Sequence, residues 1–388
     1  MFHKKTVKDF AVAGKQVIVR TMMNVPIENN QVGDEMRLRA ALPTIQYLLE
    51  QNAAVILISH HSTKGQSLEP VAPVLARLLG KSVGFVKDCL GPEAESAVHD
   101  IKQGEVLMLE NLRFHPEEEA NDDGFARTLA SYAELYVNDD FTTCHREHAS
   151  MVGIPKYLPA VAGLEVALEV ETITGALENP KRPLVAVTGG AKISTKIPIV
   201  SYLLSKVDAL FVGGAMANTF LAAQGKAVGK SLVEPDQYET AKKILADAAA
   251  QGKTVILPID VVVARTLDKP ENIHTISLDQ VEQWDIIADI GPLSVKQLAS
   301  VVKPGGSVVW NGPAGVAEQE VFSHGTRGVA ELIIASGAYS IVGGGDTADF
   351  VDGAGLAEKF SFVSTGGGAS LELMSGKPLP AVEVLLDK

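Results

Sequence analysis

LVAVTGGAKISTK (184–196) is the stretch from which the rest of the chain can be read. Its first five residues are a short apolar, β-branched run closed by Gly189-Gly190, the signature of a buried strand. A helical stretch follows at once, and Lys192 and Lys196, four apart, share one face at its start. Glycine permits positive φ and close backbone approach, so N–H groups in such a corner converge on an anion at the positive end of a helix.

The pattern recurs along the second half. DALFVG (208–213), TVILP (254–258), SVVW (307–310), YSIVG (339–343) and FSFVS (360–364) read as strands, separated by helical segments such as Thr240–Ala250. Gly213-Gly214, Gly343-Gly344-Gly345-Asp346-Thr347 and Gly366-Gly367-Gly368 each follow a strand. One glycine turn is weak evidence, because strand–helix corners demand glycine anyway. Four in one sheet exceed what turn chemistry asks for. GxxxxGK[ST] and a chain-opening GxGxxG are absent, which argues against a standard P-loop enzyme or dinucleotide fold. Asp346 reads as a Mg²⁺ ligand beside phosphates or as an ordinary N-cap, and Glu318 as a ribose contact or a surface carboxylate.

The first half alternates in the same way: QVIVRT (16–21), AVILIS (54–59), EVLMLE (105–110) and ELYVN (134–138) are strands. Arg37–Gln51 puts Leu42, Ile45, Leu48 and Leu49 on one helical face, with Pro43 expected only in its first turns. Phe125–Ala133 is a second helix. Continuous apolar strands between helices imply parallel sheets covered on both faces. A length of 388 residues implies two domains of roughly 150–200 residues each. The seam falls in the helical stretch Glu165–Leu177 and the break ENPKRP (178–183).

Lys+Arg number 34 against 47 Asp+Glu, a net charge of −13, so an anion site must be a local basic concentration. Arg20, Asn24, Arg37, His60, Arg113, His115, His145, Arg146 and His148 supply one, at predicted strand ends or at the start of the first helix. Each alone reads as a surface charge. As a set they suit a small phosphorylated carboxylate, which arginine binds bidentately. Cys144, His145 and His148 lack a second ligand pair at zinc spacing unless His60-His61 supplies it, and packing explains Cys144 better. Two cysteines exclude a disulfide framework, and Met1–Phe10 lacks a signal peptide's apolar core.

With these segments placed, the chain resembles the phosphoglycerate kinase family over essentially its whole length. The resemblance is carried by NVP (24–26), RLRAALPTIQYLLE (37–50), SH (59–60), ENLRFHPEEE (110–119), VNDDFTTCHREHAS (137–150), GGAKISTKI (189–197) and GGAMANTFL (213–221). It continues through GKSLVE (229–234), LPIDVVVA (257–264), DIGP (289–292), VVWNGPAGV (308–316), IVGGGDTA (341–348) and STGGGASLE (364–372). It implies two Rossmann-like α/β domains with parallel sheets, joined by a hinge helix (165–178) around a central cleft. Residues 1–164, completed by 373–388, would bind phosphoglycerate, and 179–372 the Mg–nucleotide. The implied reaction is 1,3-bisphosphoglycerate plus ADP to 3-phosphoglycerate plus ATP, reversible, in glycolysis and gluconeogenesis. A cytoplasmic monomer without nucleic-acid or membrane partners is implied too.

By motif, Arg37, Lys192, Gly367 and Gly368 occupy catalytic positions. Met22, Met23, Asn24, Arg37, His60, His61, Ser62, Thr63, Arg113 and Arg146 occupy the phosphoglycerate positions. Gly190, Lys192, Lys196, Gly214, Asn311, Glu318, Gly344, Gly345, Asp346 and Thr347 occupy the nucleotide positions, with Asp346 on Mg²⁺.

The match departs from the pattern chiefly on the acid side. VRTMMNVP (19–26) stands for the usual VRVDFNVP, so Met22 replaces an aspartate that bonds the glycerate. SHHSTKG (59–65) stands for SHLGRP, losing a glycine and an arginine, with Lys64 a partial substitute. Asp140 replaces the usual alanine and Thr142 the usual glycine, while Ala314 and Ala317 replace larger residues. A lost arginine–phosphate contact costs about 1.5–3 kcal/mol, roughly one to two decades of affinity. Ordinary nucleotide binding and weakened phosphoglycerate binding are therefore expected. The rival reading is a duplicated relative that binds nucleotide with weak or no turnover. Retention of Arg37, Lys192, Lys196 and Asp346 favours an active kinase. A nicotinamide dehydrogenase suits the fold but lacks the glycine fingerprint and its acidic partner.

Overall fold

The structure, a computed structural model, describes residues 2–388. It divides into two compact units: residues 2–171 with 378–388, and residues 172–377. The division falls inside one helix, Leu164–Glu178 (α2 below).

The first unit is built on six parallel strands: β1 (Gln16–Thr21), β2 (Ala54–Ile58), β3 (Val83–Val86), β4 (Val106–Leu109), β5 (Leu135–Asp139) and β6 (Ala160–Ala162). Their order is β3-β4-β2-β1-β5-β6. All five residues of both β2 and β5 are buried, as a sheet covered on both faces requires. Register pairs Arg20 with Ile58 on one side and with Asn138 on the other. The chain segments leaving β1, β2 and β5 therefore emerge side by side, with the order reversing at β1. Helix α1 (Met36–Glu50) packs Leu38, Ala41, Ile45 and Leu48 into this core. Contrary to expectation it runs through Pro43, its eighth residue, rather than confining the proline to its first turns. The C-terminal return is tied in by Leu386 N–H to Ala160 C=O at 2.9 Å and Ala381 N–H to Cys144 C=O at 3.1 Å.

After α2 (Leu164–Glu178), the second unit has β7 (Leu184–Thr188), β8 (Ala209–Val212), β9 (Thr254–Ile256), β10 (Asp260–Ala264), β11 (His274–Ser277), β12 (Ile286–Ile290), β13 (Ser307–Asn311), β14 (Tyr339–Gly343) and β15 (Phe362–Val363). Six are parallel, in the order β9-β8-β7-β13-β14-β15, and β11-β10-β12 form a separate antiparallel sheet. The chain order reverses between β7 and β13, where an open α/β sheet leaves its ligand crevice. The helices that begin directly after strands of the parallel sheet are α3 (Ile193–Lys206), α4 (Gly214–Ala223), α5 (Gly345–Gly353) and α6 (Gly368–Met374).

The expected strands are all present, within a residue or two at most ends. The edge strands β3 and β6 and the antiparallel sheet go beyond the expectation. β3 is only partly covered and carries Gly84, which weakens its periodic signal. Among the described residues, no helix is long and apolar enough to cross a membrane.

Candidate active site

In the second unit the glycine corners meet at the crevice. Gly189 N–H donates to Asn311 C=O at 3.0 Å, Gly190 N–H to Pro313 C=O at 3.2 Å, and Gly214 N–H to Ala314 C=O at 2.7 Å. The corner after β13 is thereby laced to those after β7 and β8. Gly214 has φ +62, and a Cβ there would lie 2.6 Å from Gly190 N, so only glycine closes this turn.

Lys196, one turn into α3, donates from Nζ to Asn311 Oδ1 at 2.5 Å. Asn311 Nδ2 in turn donates to Gly343 C=O at 2.8 Å. Thr347 Oγ1 accepts from Gly312 N–H at 2.7 Å. A concavity of about 160 Å³ opens here, lined by Lys196, Asn311, Gly344 to Thr347, Gly367 and Gly368. Burial lowers the Lys196 pKa while Asp346 opposes the shift, so the two charges sense each other. Asp346 is exposed in the first turn of α5, whose N-cap is Gly344, so the ordinary N-cap role does not apply to it. A second cavity of about 310 Å³ is lined by Gly190, Gly214, Glu318 and Asp346. Its other walls are largely apolar, with Leu232, Leu267, Ile286, Ile287 and Val316 beside the polar Asn218 and Asp289. These were not singled out from the sequence, because β12 and its partners gave no recognised signal. Lys192 lines neither cavity and stands exposed as the N-cap of α3.

In the first unit, segments after β1, β2, β4 and β5 hold the basic cluster. Arg37 Nη1 donates to Asn24 C=O at 2.5 Å. Asn24 and Ser62 are joined twice, Ser62 N–H to Asn24 Oδ1 at 3.0 Å and Asn24 Nδ2 to Ser62 Oγ at 2.5 Å. His61 is buried, with Nδ1 accepting from Thr63 N–H at 3.0 Å and Nε2 against Val25 C=O at 2.9 Å. Asn111 Oδ1 accepts from both His61 N–H and Arg113 N–H at 3.0 Å, tying the β2 and β4 segments together. Arg113 pairs with Glu119 at 3.1 Å, and Arg146 is exposed. Met22 and Met23 are 1% and 0% exposed, so their side chains belong to the core as the structure stands.

Beneath these lies a buried polar network. Arg20, 0% exposed, donates to Asp140 Oδ2 at 2.6 Å, Ser150 Oγ at 2.9 Å and His60 Nδ1 at 2.8 Å. Asp140 also accepts from Thr142 Oγ1 at 2.5 Å and Thr143 Oγ1 at 3.0 Å. Burial, reinforced by Arg20 and Arg113, holds the His60 pKa well below the usual imidazole value. The same causes push His148 down to about 4. Both rings are neutral at pH 7, so the positive charge of the exposed cluster comes from Arg37, Arg146 and an Arg113 already paired with Glu119.

The zinc idea at Cys144 finds no support, since its Sγ contacts Asp140 C=O and Asn138 Nδ2 inside the core. Asp88, Cys89 and His115 do bring ligand-type atoms within 4.8 Å. Burial pushes the Cys89 thiol up, and Asp88 Oδ1 already holds His115 Nε2 and two backbone N–H groups.

Comparison with known proteins agrees with this geometry. The family model described as phosphoglycerate kinase matches residues 7–377. This chain belongs to the phosphoglycerate kinase family. It is 50% identical to the phosphoglycerate kinase of Moorella thermoacetica, over 99% of this chain and 100% of that protein. Among solved structures, it is similar to phosphoglycerate kinase from Coxiella burnetii, with a TM-score of 0.89, 40% identity and 98% of each chain covered. The phosphoglycerate kinase of Pyrococcus horikoshii gives a TM-score of 0.85 at 30% identity, covering 99% of this chain and 98% of that one. Nothing in these relationships favours a separate, non-catalytic lineage.

Proposed function

We propose that the chain transfers a phosphoryl group reversibly between 1,3-bisphosphoglycerate and ADP, giving 3-phosphoglycerate and ATP, as a monomeric glycolytic enzyme of the cytoplasm. The observation that carries this reading is the meeting of the glycine corners with Lys196, Asn311 and Asp346 at the strand-order reversal. Family membership supplies the substrates.

The apolar wall of Leu232, Ile286 and Val316 takes the base, and Glu318 the ribose. Gly190, Gly214 and Gly344 to Thr347 take the phosphates, with Lys196 held by Asn311. The Asp346 carboxylate makes no hydrogen bond among the described residues and stands at a helix start beside the phosphate concavity. That suits Mg²⁺, which favours one or two carboxylates plus phosphate oxygens. When bound, Mg²⁺ would neutralise phosphate charge. Lys192 and the N–H groups of Gly367 and Gly368 act on the moving phosphoryl, and Arg37 on the acyl-phosphate end.

On the acid side, Asn24, Arg37, His60, Arg113 and Arg146 hold the phosphoglycerate, with Ser62 and Thr63 beside them. Neutral His60 contributes a hydrogen bond and the arginines the charge. Phosphoryl transfer needs alignment and charge neutralisation more than covalent help. With the nucleotide on one unit and the acid on the other, each unit orients its own substrate for the transfer.

A coupled assay of ATP-dependent 1,3-bisphosphoglycerate formation tests the reading. Turnover that requires Mg²⁺ and falls at least about a hundredfold in Lys192→Ala supports it. No turnover in the wild type would overturn it.

A further inference from the structure

We propose that Asp140 is a positioning residue: through Arg20 it fixes His60 as the tautomer protonated on Nε2, so that this ring N–H is the donor available to the phosphoglycerate. The inference rests on the reading of His60 as a substrate contact and goes beyond it by stating which atom donates and what holds it.

A guanidinium has only donors, so the 2.8 Å contact between Arg20 Nη2 and His60 Nδ1 requires a lone pair on Nδ1. The ring proton is then on Nε2, which has no hydrogen-bond partner among the described residues. Arg20 cannot swing aside, because three of its other four N–H donors are taken by Asp140 Oδ2, Ser150 Oγ and Thr21 C=O. Ser150 is itself pinned, Oγ to Glu118 Oε1 at 2.5 Å and N–H to Oε2 at 2.9 Å.

Asp140 anchors the arrangement. Its carboxylate is 0% exposed and neutralises Arg20, which would otherwise be an unpaired buried cation. It stands 3.7 Å from His60 Nδ1, beyond hydrogen-bond reach, so it does not compete for that nitrogen. The remaining charged or titratable groups around His60 are Arg113, His148 and His61, and Arg20 and Arg113 both oppose a second ring proton. Asp140 and Thr142, which donates to it, are two positions where the chain departs from the family pattern. Together they place a carboxylate beside Arg20 from the β5 segment in a chain that carries Met22 rather than aspartate in the β1 segment.

Long-range ¹H–¹⁵N spectra of the full, histidine-labelled chain test this directly. The expected His60 spectrum has an unprotonated Nδ1 and a protonated Nε2, with no titration near the ordinary imidazole value. A protonated Nδ1, or titration near the ordinary imidazole value, would overturn the proposal. Asp140→Asn keeps one acceptor oxygen and removes the charge. It is expected to raise the 3-phosphoglycerate KM about tenfold, with a smaller fall in kcat and no change in the ATP KM, and to mix the tautomers. Unchanged His60 shifts and an unchanged KM in that variant would refute the positioning role. A wild type without phosphoglycerate turnover would strike the functional reading instead, and the ring shifts would still decide the tautomer.

Discussion

Replacing Gly344 by alanine should cost the second unit both stability and nucleotide binding, and the size follows from the local geometry. Gly344 sits at φ +89 and ψ 138, a conformation nearly reserved for glycine. Forcing an L-residue there costs about 1–3 kcal/mol. The added Cβ would lie 2.4 Å from Asn311 Nδ2, so that side chain must turn away. It then loses its bond to Gly343 C=O, worth about 1 kcal/mol, and its bond from the Lys196 ammonium, worth about 1.5–3 kcal/mol. The sum is about 3.5–7 kcal/mol, and Lys196 is freed from its place in the phosphate concavity. Gly345→Ala is the matched control, since its backbone is ordinary and nothing lies within 4 Å of the added methyl. Urea unfolding of the three proteins, followed by ATP titration, is the assay. A Gly344→Ala midpoint indistinguishable from that of Gly345→Ala would refute the reasoning.

Acid should destabilise the fold through its depressed histidines. His60 and His148 have folded pKa values below the unfolded value of about 6.5, so in that window the unfolded chain binds more protons. Their contribution is complete above pH about 6.5 and is lost as pH falls below it, for His148 toward about 4; urea midpoints should show this, and His148→Gln should flatten the fall. Asp346→Asn should raise the Mg²⁺ concentration for half-maximal turnover about tenfold while leaving the 3-phosphoglycerate KM in place, and an unchanged Mg²⁺ requirement would remove Asp346 from the metal. The departures at Met22 and at Ser62–Thr63 predict phosphoglycerate affinity lower by one to two decades than is usual for the family, and a family-typical calorimetric value would show the loss to be compensated.

Much of this was written into local sequence. LVAVT, DALFV and YSIVG each alternate with glycines and helices, and such signals need no knowledge of distant residues. They made both parallel sheets and the phosphate corners legible. The antiparallel sheet was not, because β10 and β12 pair around a register shift and β11 is largely exposed, leaving no clear period. The apolar base pocket draws on β12 and so shared that blindness. Asp140 is the instructive case. Its departure from the family pattern is visible in the sequence, but its partner Arg20 lies 120 residues away and only the β1–β5 register joins them. Met22 and Met23 read as substrate positions by motif, yet an apolar side chain at a buried strand end packs inward.

The proposed division of labour assigns one ligand to each unit, and calorimetry on two variants separates the two. Lys196→Met should weaken Mg–ADP binding at least about tenfold and leave 3-phosphoglycerate binding unchanged, and Arg113→Ala should do the reverse. A wild type with no affinity for Mg–ADP, or a variant that loses both ligands equally, would contradict it.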